Sequence, residues 1–455
     1  MRQFILSCIV LCFACLCLHA IEPVVLMEED IIDVKPPGNG AGPLWCYGSP
    51  LIVRDGERVF ASIPETGAEV PLLCNTRWRL FERTGKGWVI RHQAEPYRER
   101  EPSPLVRLAG GTLVLSANPS TEPPGVKYGA CEPQLLFFSL PQLEEPRSIK
   151  PTWDGQPHFT DHSYRGIAAD AKNGELLLFH IDAKTSEQNW SFRAANGEWI
   201  AKGKLSFPLR SCYPQVFLKD RAAHIMAIGD IVEPVESWRQ YKRKKTGRKW
   251  DYVFRRLFYS YTPDIVNEPF CEAMEVLNLD ATAGHITNLD LWVNEEGVAA
   301  LLFIKQQVQN ELMRDRFFPT LRYSLARHLE VAFYREGKHI QTNCYAVGGD
   351  GHNGETLTPQ PQYARFHVTP DGWLYIVSCD IVWDAEGKAR TVNRIRRIRP
   401  KSKDREKWVE IPLQEPFRQF FTNTVRGGSQ PSRTLDLYGI GNNSRTLRYA
   451  CILLE

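Results

Sequence analysis

The sequence predicts an all-β protein, a single β-propeller of four-stranded blades, with seven blades favoured and six if the weakest repeat is not counted. Three observations predict it. Trp (12), Tyr (16) and Phe (22) are plentiful while Met is scarce (5), a bias toward pleated structure. No amphipathic helical pattern runs longer than a few turns. One pattern also returns seven times along the 455 residues: a polar or proline-marked start, an apolar run, a turn of Gly, Asp or Asn, and a second apolar run.

In order, the units are GSPLIVRDGERVFAS (Gly48 to Ser62), PSPLVRLAGGTLVLSA (Pro102 to Ala117) and HSYRGIAADAKNGELLLFH (His162 to His180). YPQVFLKDRAAHIMAIGD (Tyr213 to Asp230) and ITNLDLWVNEEGVAALLFI (Ile286 to Ile304) follow. The last two are QYARFHVTPDGWLYIVSC (Gln362 to Cys379) and SRTLDLYGIGNNSRTLRYACILL (Ser432 to Leu454). The weakest unit is the fourth, around Lys219 and Asp220. Between the hairpins lie more strand-like runs, among them RWRLFERTGKGWVI, QNWSFRAANGEWI and VAFYREGKHI, so each unit carries about four strands. Such a sheet cannot bury both faces alone, and radial stacking buries them against each other. The segment PVVLMEEDIIDV, from Pro23, has the pattern of a strand that completes the last blade and latches the ring.

The N-terminus divides off first. MRQFILSCIVLCFACLCLHA has one positive charge, Arg2, then an apolar run too short to span a bilayer. Residues 1–20 therefore read as a signal peptide, residues 21–44 as an N-terminal extension offering the closing strand, and residues 45–455 as the propeller. The protein is expected to be secreted or periplasmic, with lipid anchoring at Cys15 as the minor alternative. No later segment is long and apolar enough to cross a membrane.

Without the signal segment 55 basic residues face 53 acidic ones, which excludes the electrostatic footprint of a nucleic-acid binder. Four of the 12 cysteines belong to that segment. The remaining eight are scattered, with no C-x-x-C, so a zinc knuckle or thioredoxin-like site is excluded and disulfides and buried free thiols both stay open. The loop GGDGHNGET (Gly348 to Thr356) lacks the strand-to-helix context of a phosphate loop, although its His352 can reach a channel mouth. YKRKKTGRKW (Tyr241 to Trp250) reads as a solvated basic hairpin tip that, at a rim, would draw in a polyanion.

In a propeller the first strand of each blade lines the axis, so residues at these strand starts meet although they are distant in sequence. Here they are Trp45, Tyr47, Arg98, Arg100, Asp161, His162, Tyr164, Tyr213, His285, Asn288, Gln360, Gln362 and Gln430. Histidines, tyrosines, arginines and amides together make a polar, hydrogen-bonding pocket. Taken singly, each has an ordinary role: His162 bonding a carbonyl, His180 a satisfied core histidine, Tyr213 a packing residue, Arg100 part of a solvated charge run. Convergence is what points to a site.

HSY followed by a hairpin ending in FH (His162 to His180), CYPQVF (Cys212 to Phe217) and RRLFYSYTPD (Arg255 to Asp264) resemble the secreted sialidase-like propellers with degenerate BNR repeats, a group that includes the ulvan lyases. The sialidase signature S-x-D-x-G-x-x-W is nowhere intact, with echoes in RTGKGW, RAANGEW and TPDGW. The resemblance implies β-elimination of an acidic, uronate-containing polysaccharide. In that chemistry a cation neutralises the carboxylate, a base takes the C5 proton and an acid protonates the leaving oxygen. On the matching motifs His162 would be base or carboxylate partner, Tyr213 the acid/base and His180 a supporting group. The arginine falls to Arg256, Arg239 or Arg100, because the insertion from Glu233 to Asp251 breaks the spacing. Tyr47, Arg100, Tyr164, Arg239, His285, His352 and Gln362 would bind substrate. Two other readings stay open, a non-catalytic carbohydrate- or protein-binding propeller and a sialidase-type hydrolase. The partner expected is an oligo- or polysaccharide, the protein a monomer; no cofactor is required, with room for a structural divalent cation.

Overall fold

The computed structural model describes residues 22–45, 49–349, 359–384, 386–399 and 406–455. Its strands form seven four-stranded antiparallel sheets, so the propeller has seven blades. The inner strands are Ile52–Asp55, Leu105–Leu108, Arg165–Asp170, Ser211–Lys219, His285–Val293, Gln360–Val368 and Gln419–Thr422. Each lies beside the next and the last beside the first, which closes the ring. We call the face where these strands begin the upper face and the one where they turn back the lower face. Residues 1–20, expected to be a signal peptide, lie outside the described residues, as do Tyr47 and His352.

Alternation along the strands explains the stacking. In blade 3, Ile167, Ala169, Leu176 and Leu178 pack toward blade 2, on Val106, Val114 and Leu135. Their neighbours Ala168, Leu177 and Phe179 pack toward blade 4, on Val216, Leu218 and Ile225. Successive side chains point to opposite faces of a strand, so a blade with apolar residues at every position is buried on both sides.

The strand Pro23–Asp33 pairs antiparallel with Thr446–Leu454 as the outermost strand of blade 7. Thr446 donates its hydroxyl proton to Asp33 Oδ1 at 2.6 Å, and Arg448 Nε donates to Asp30 Oδ1 at 2.9 Å. N-terminal residues thus cover the edge of the C-terminal strand.

Blade 7 corrects the sequence reading. The hairpin within Ser432–Leu454 supplies its second and third strands, Thr434–Ile440 and Thr446–Leu454. The inner strand is Gln419–Thr422, only four residues long and followed by an irregular connection rather than a tight turn, so no hairpin pattern marks it. Gln430 therefore belongs to the lower face. The connection contains a 3₁₀ turn, Val425–Gly427, that lies against the inner strands of blades 2, 3 and 4, across the ring from its own blade. Arg426 from this turn is almost fully buried in the bore, donating to Asp290 at 2.9 Å and to Gln215 at 3.1 Å. Gly428 ends the turn at φ +86°, where an added Cβ would lie 1.9 Å from the Arg107 carbonyl oxygen, so only glycine fits.

The basic segment in blade 4 is likewise not a hairpin tip. Glu236–Thr246 forms helix α1, closed by Gly247 in the left-handed conformation. Trp238 and Tyr241, three residues apart, pack on Phe317 of helix α2, Glu311–Phe317, which gives the basic run an apolar stripe. The seven described cysteines are free, and the thiols of Cys74 and Cys131 hydrogen-bond to each other.

Candidate functional site

The upper face of blades 2 to 4 brings together a polar cluster around Tyr213. The inner strand of blade 4 carries a bulge between Cys212 and Gln215, where Pro214 has no N–H to give to the ladder. Tyr213 occupies this bulge at φ +51°, a left-handed conformation that costs a non-glycine residue about 1–3 kcal/mol. Asn288 Nδ2 holds the kink by donating to the Tyr213 carbonyl at 2.8 Å. The Tyr213 ring lies 4.5 Å from that of Tyr164, 6.0 Å from Trp45 and 6.1 Å from Phe254.

The tyrosine hydroxyls hydrogen-bond to each other. Burial, then the Tyr164 and Asp230 charges, hold the Tyr213 phenol far above its ordinary range. Burial and Glu101 push Tyr164 up to about 12. Both phenols therefore keep their protons at neutral pH and serve as donors.

Two arginines flank the pair. The Arg210 guanidinium lies 5.6 Å over the Tyr164 ring and donates to Asp230 Oδ2 at 2.5 Å. Arg100 Nη1 meets Glu101 at 3.1 Å and the Asp161 carbonyl at 3.4 Å. Burial raises the Glu101 carboxyl, against the pull of Arg100, Arg165 and His162. His162 Nδ1 is 3.3 Å from Asp161 Oδ1, and its half-exposed ring lies 6.0 Å from that of Tyr128. Its carbonyl accepts from the Tyr164 N–H at 3.0 Å, so the His162 and Tyr164 backbones are fixed together.

Of the residues proposed from sequence, Tyr164, Tyr213 and Arg100 meet here, and His162 sits at their edge with its ring beside Asp161 and Tyr128. Others do not. His180 is 1% exposed, wedged between Trp153 and Phe159 at 5.4 and 5.3 Å, with neither ring nitrogen hydrogen-bonded; burial keeps it neutral. Arg256 belongs to the third strand of blade 4 and pairs with Asp280 at 2.5 Å and Glu275 at 3.6 Å. Arg239 is exposed on α1 beside Glu236. His285 is one layer away, its ring 5.9 Å from Phe254 and its pKa lowered to about 4 by burial and then by Arg327 and Arg255. Gln362 accepts from Arg327 in blade 5. Arg210, Asp230 and Glu101 were missed. Arg210 directly precedes the inner strand of blade 4, the same slot that singled out the others, and Glu101 is hidden in the charged run RERE.

Two further places hold chemistry-bearing groups. His328, Glu330 and Cys344, on the outer strands of blade 5, put their ligand atoms within 4.8 Å of one another. A divalent cation would fit this trio by ligand type, in competition with Lys305, whose ammonium lies 2.8 Å from Glu330. On the lower face a cavity of about 480 Å³ is lined by the turns of blades 3 to 6 and by the blade 7 connection, with Trp292, Lys219 and Glu295 among them. Lys219 and Glu295 pair at 2.5 Å, and no proton-transfer pair converges there among the described residues.

No family model and no curated protein matches the chain. Solved structures do. The chain is similar to Kuenenia stuttgartiensis hydrazine synthase (11% identity, 77% of this chain and 78% of that one, TM-score 0.40). It is similar to Penicillium chrysogenum α-L-arabinanase complexed with arabinobiose (12% identity, 77% and 92%, TM-score 0.38). It is also similar to Trypanosoma rangeli sialidase in complex with sialic acid (12% identity, 82% of this chain but 58% of that one, TM-score 0.38). The propeller assignment rests on the chain's own strand pairing.

Proposed function

We propose that the upper face is the active site of an exported polysaccharide lyase that cleaves a uronate-containing chain by β-elimination. The observation that carries this reading is the buried, protonated Tyr213, held at a strained bulge against Tyr164, which Arg210 and Arg100 flank. Arg210 donates to the Asp230 carbonyl and carboxylate through Nη1, and a guanidinium has five N–H donors, so a substrate carboxylate can share it. Neutralising the uronate carboxylate stabilises the enolate that forms as the C5 proton leaves. His162, half exposed beside Asp161, accepts that proton. The C4–O bond then breaks, the C4–C5 double bond forms, and Tyr213 gives its proton to the leaving oxygen. In this reading residues 1–20 direct export, the protein acts as a monomer and no metal takes part in the chemistry.

Glu101 favours a second reading, sialidase-type hydrolysis, because a carboxyl raised by burial beside arginines is the general acid a glycosidase needs. Incubation with a panel of polyuronates separates the two. Lysis produces ultraviolet absorbance from the unsaturated uronate, which Tyr213→Phe and His162→Asn lower by about 10²–10⁴ with an unchanged Tm. New reducing ends without absorbance would assign a hydrolase, and silence across the panel a binding module.

A further inference from the structure

The insertion between Glu233 and Asp251 is the largest departure from the repeat, and it joins the second and third strands of blade 4 on the upper face, beside the Tyr213 cluster. Phe254, just beyond it, touches both Tyr213 and His285. Its inner side is anchored by buried charges. Glu233 accepts from Arg255 at 2.9 Å and from Lys242 at 2.8 Å, Lys242 also pairs with Asp251, and Arg255 lies 5.1 Å over the Trp238 ring. Trp238 and Tyr241 fix α1 onto α2. Removing one member of such a network strands a buried charge, so the platform is held in one position.

Its outer side is different. Arg243, Lys244, Lys245, Arg248 and Lys249 are all exposed, and no ion pair engages any of them among the described residues. The two acids of the insertion that could neutralise them, Glu236 and Asp251, are taken by Arg239 and Lys242. Three of the cations crowd the last turn of α1, where the helix dipole favours them. Trp250, 72% exposed, and Tyr252, 46% exposed, follow immediately. Five unpaired cations next to two exposed aromatic faces form a surface for a flexible, negatively charged chain of sugar rings: the cations meet carboxylates or sulfates, and the indole stacks on a pyranose face.

We propose that this insertion is a docking rim that holds the polyanionic polysaccharide beside the Tyr213 cluster. The proposal rests on the acidic-polysaccharide reading of that site, and it concerns binding, which can be measured apart from turnover. The test is affinity electrophoresis through polygalacturonate, with dextran as the neutral control. It compares wild type, Tyr213→Phe, and a variant carrying Lys244→Gln, Lys245→Gln, Arg248→Gln and Lys249→Gln.

Wild type and Tyr213→Phe should be retarded equally by polygalacturonate and not by dextran. The four-site variant should bind at least tenfold more weakly, with a flatter dependence on salt and an unaltered Tm. Equal retardation of the four-site variant overturns the proposal, as does a wild type that ignores polygalacturonate. Equally tight binding to duplex DNA or anionic vesicles at the same ionic strength overturns the assignment to a carbohydrate. If the rim binds but no polyuronate is cleaved, the lyase reading falls and the rim stands. If short oligouronates are turned over equally by wild type and the four-site variant, while KM for polymer rises about tenfold only in the variant, both stand.

Discussion

Tyr213 shows how a single residue trades stability for placement. Its left-handed φ at a proline-marked bulge turns the phenol out of the strand's alternation and onto Tyr164. The candidate cluster was legible where a residue stands at or just before an inner strand, as His162, Tyr164, Tyr213 and Arg100 do. It was not legible where burial depends on a neighbouring strand: Glu101 looks solvated in RERE but is 8% exposed. His180 fails for a related reason, since the Trp153 and Phe159 rings that bury it come from the segment entering blade 3, outside its hairpin. Arg210 offers the sharpest test at this scale. Arg210→Lys keeps the charge for Asp230 but loses the planar fork, so kcat/KM on polyuronate should fall about tenfold or more while Tm shifts by only a few degrees. An unchanged kcat/KM would leave Arg210 as an ion-pair partner of Asp230 and nothing more.

At the scale of elements, the strand Pro23–Asp33 has the clearest consequence. Without it blade 7 keeps three strands, and the backbone edge of Thr446–Leu454 is bare to water and to other chains. Deleting residues 22–34 should lower the Tm or drive the protein into aggregates, and a synthetic peptide of that segment added during refolding should restore the full chain's elution on gel filtration. A truncated protein that melts like the full chain would deny the strand its closing role. Six of the seven hairpins were legible because tight turns marked them, and the strand pattern of Pro23–Asp33 was equally plain. The inner strand of blade 7 was not, because Gln419–Thr422 is four residues long and leads into a 3₁₀ turn. Helix α1 was hidden by its charge, since two aromatic residues carry its whole packing stripe.

Across the whole molecule, histidine burial sets the response to acid. Burial holds His224 down to about 3 and, as the leading cause, His285 and His367 down to about 4, and His180 lies well below its usual range. A base whose pKa is depressed on folding contributes stability that is complete above its unfolded value, near 6.5, and is lost as pH falls toward the folded one. The Tm should therefore drop by roughly 5 °C or more between pH 6.5 and 4. His367→Gln, which keeps a donor for the Ser432 carbonyl, should flatten that slope. A Tm indifferent to pH over this window would contradict the burial of these rings. The overall ring was legible because each blade repeats one pattern, whereas the turn that fills its bore has no counterpart among the described residues of the other six. That turn has a plain consequence for traffic. Arg426 and Asp290, paired and almost fully buried, stand in the bore between the two faces. If the upper cluster is the proposed active site, that plug makes it a cup, and a chain held at Tyr213 would enter and depart over one lip, past the cations of α1.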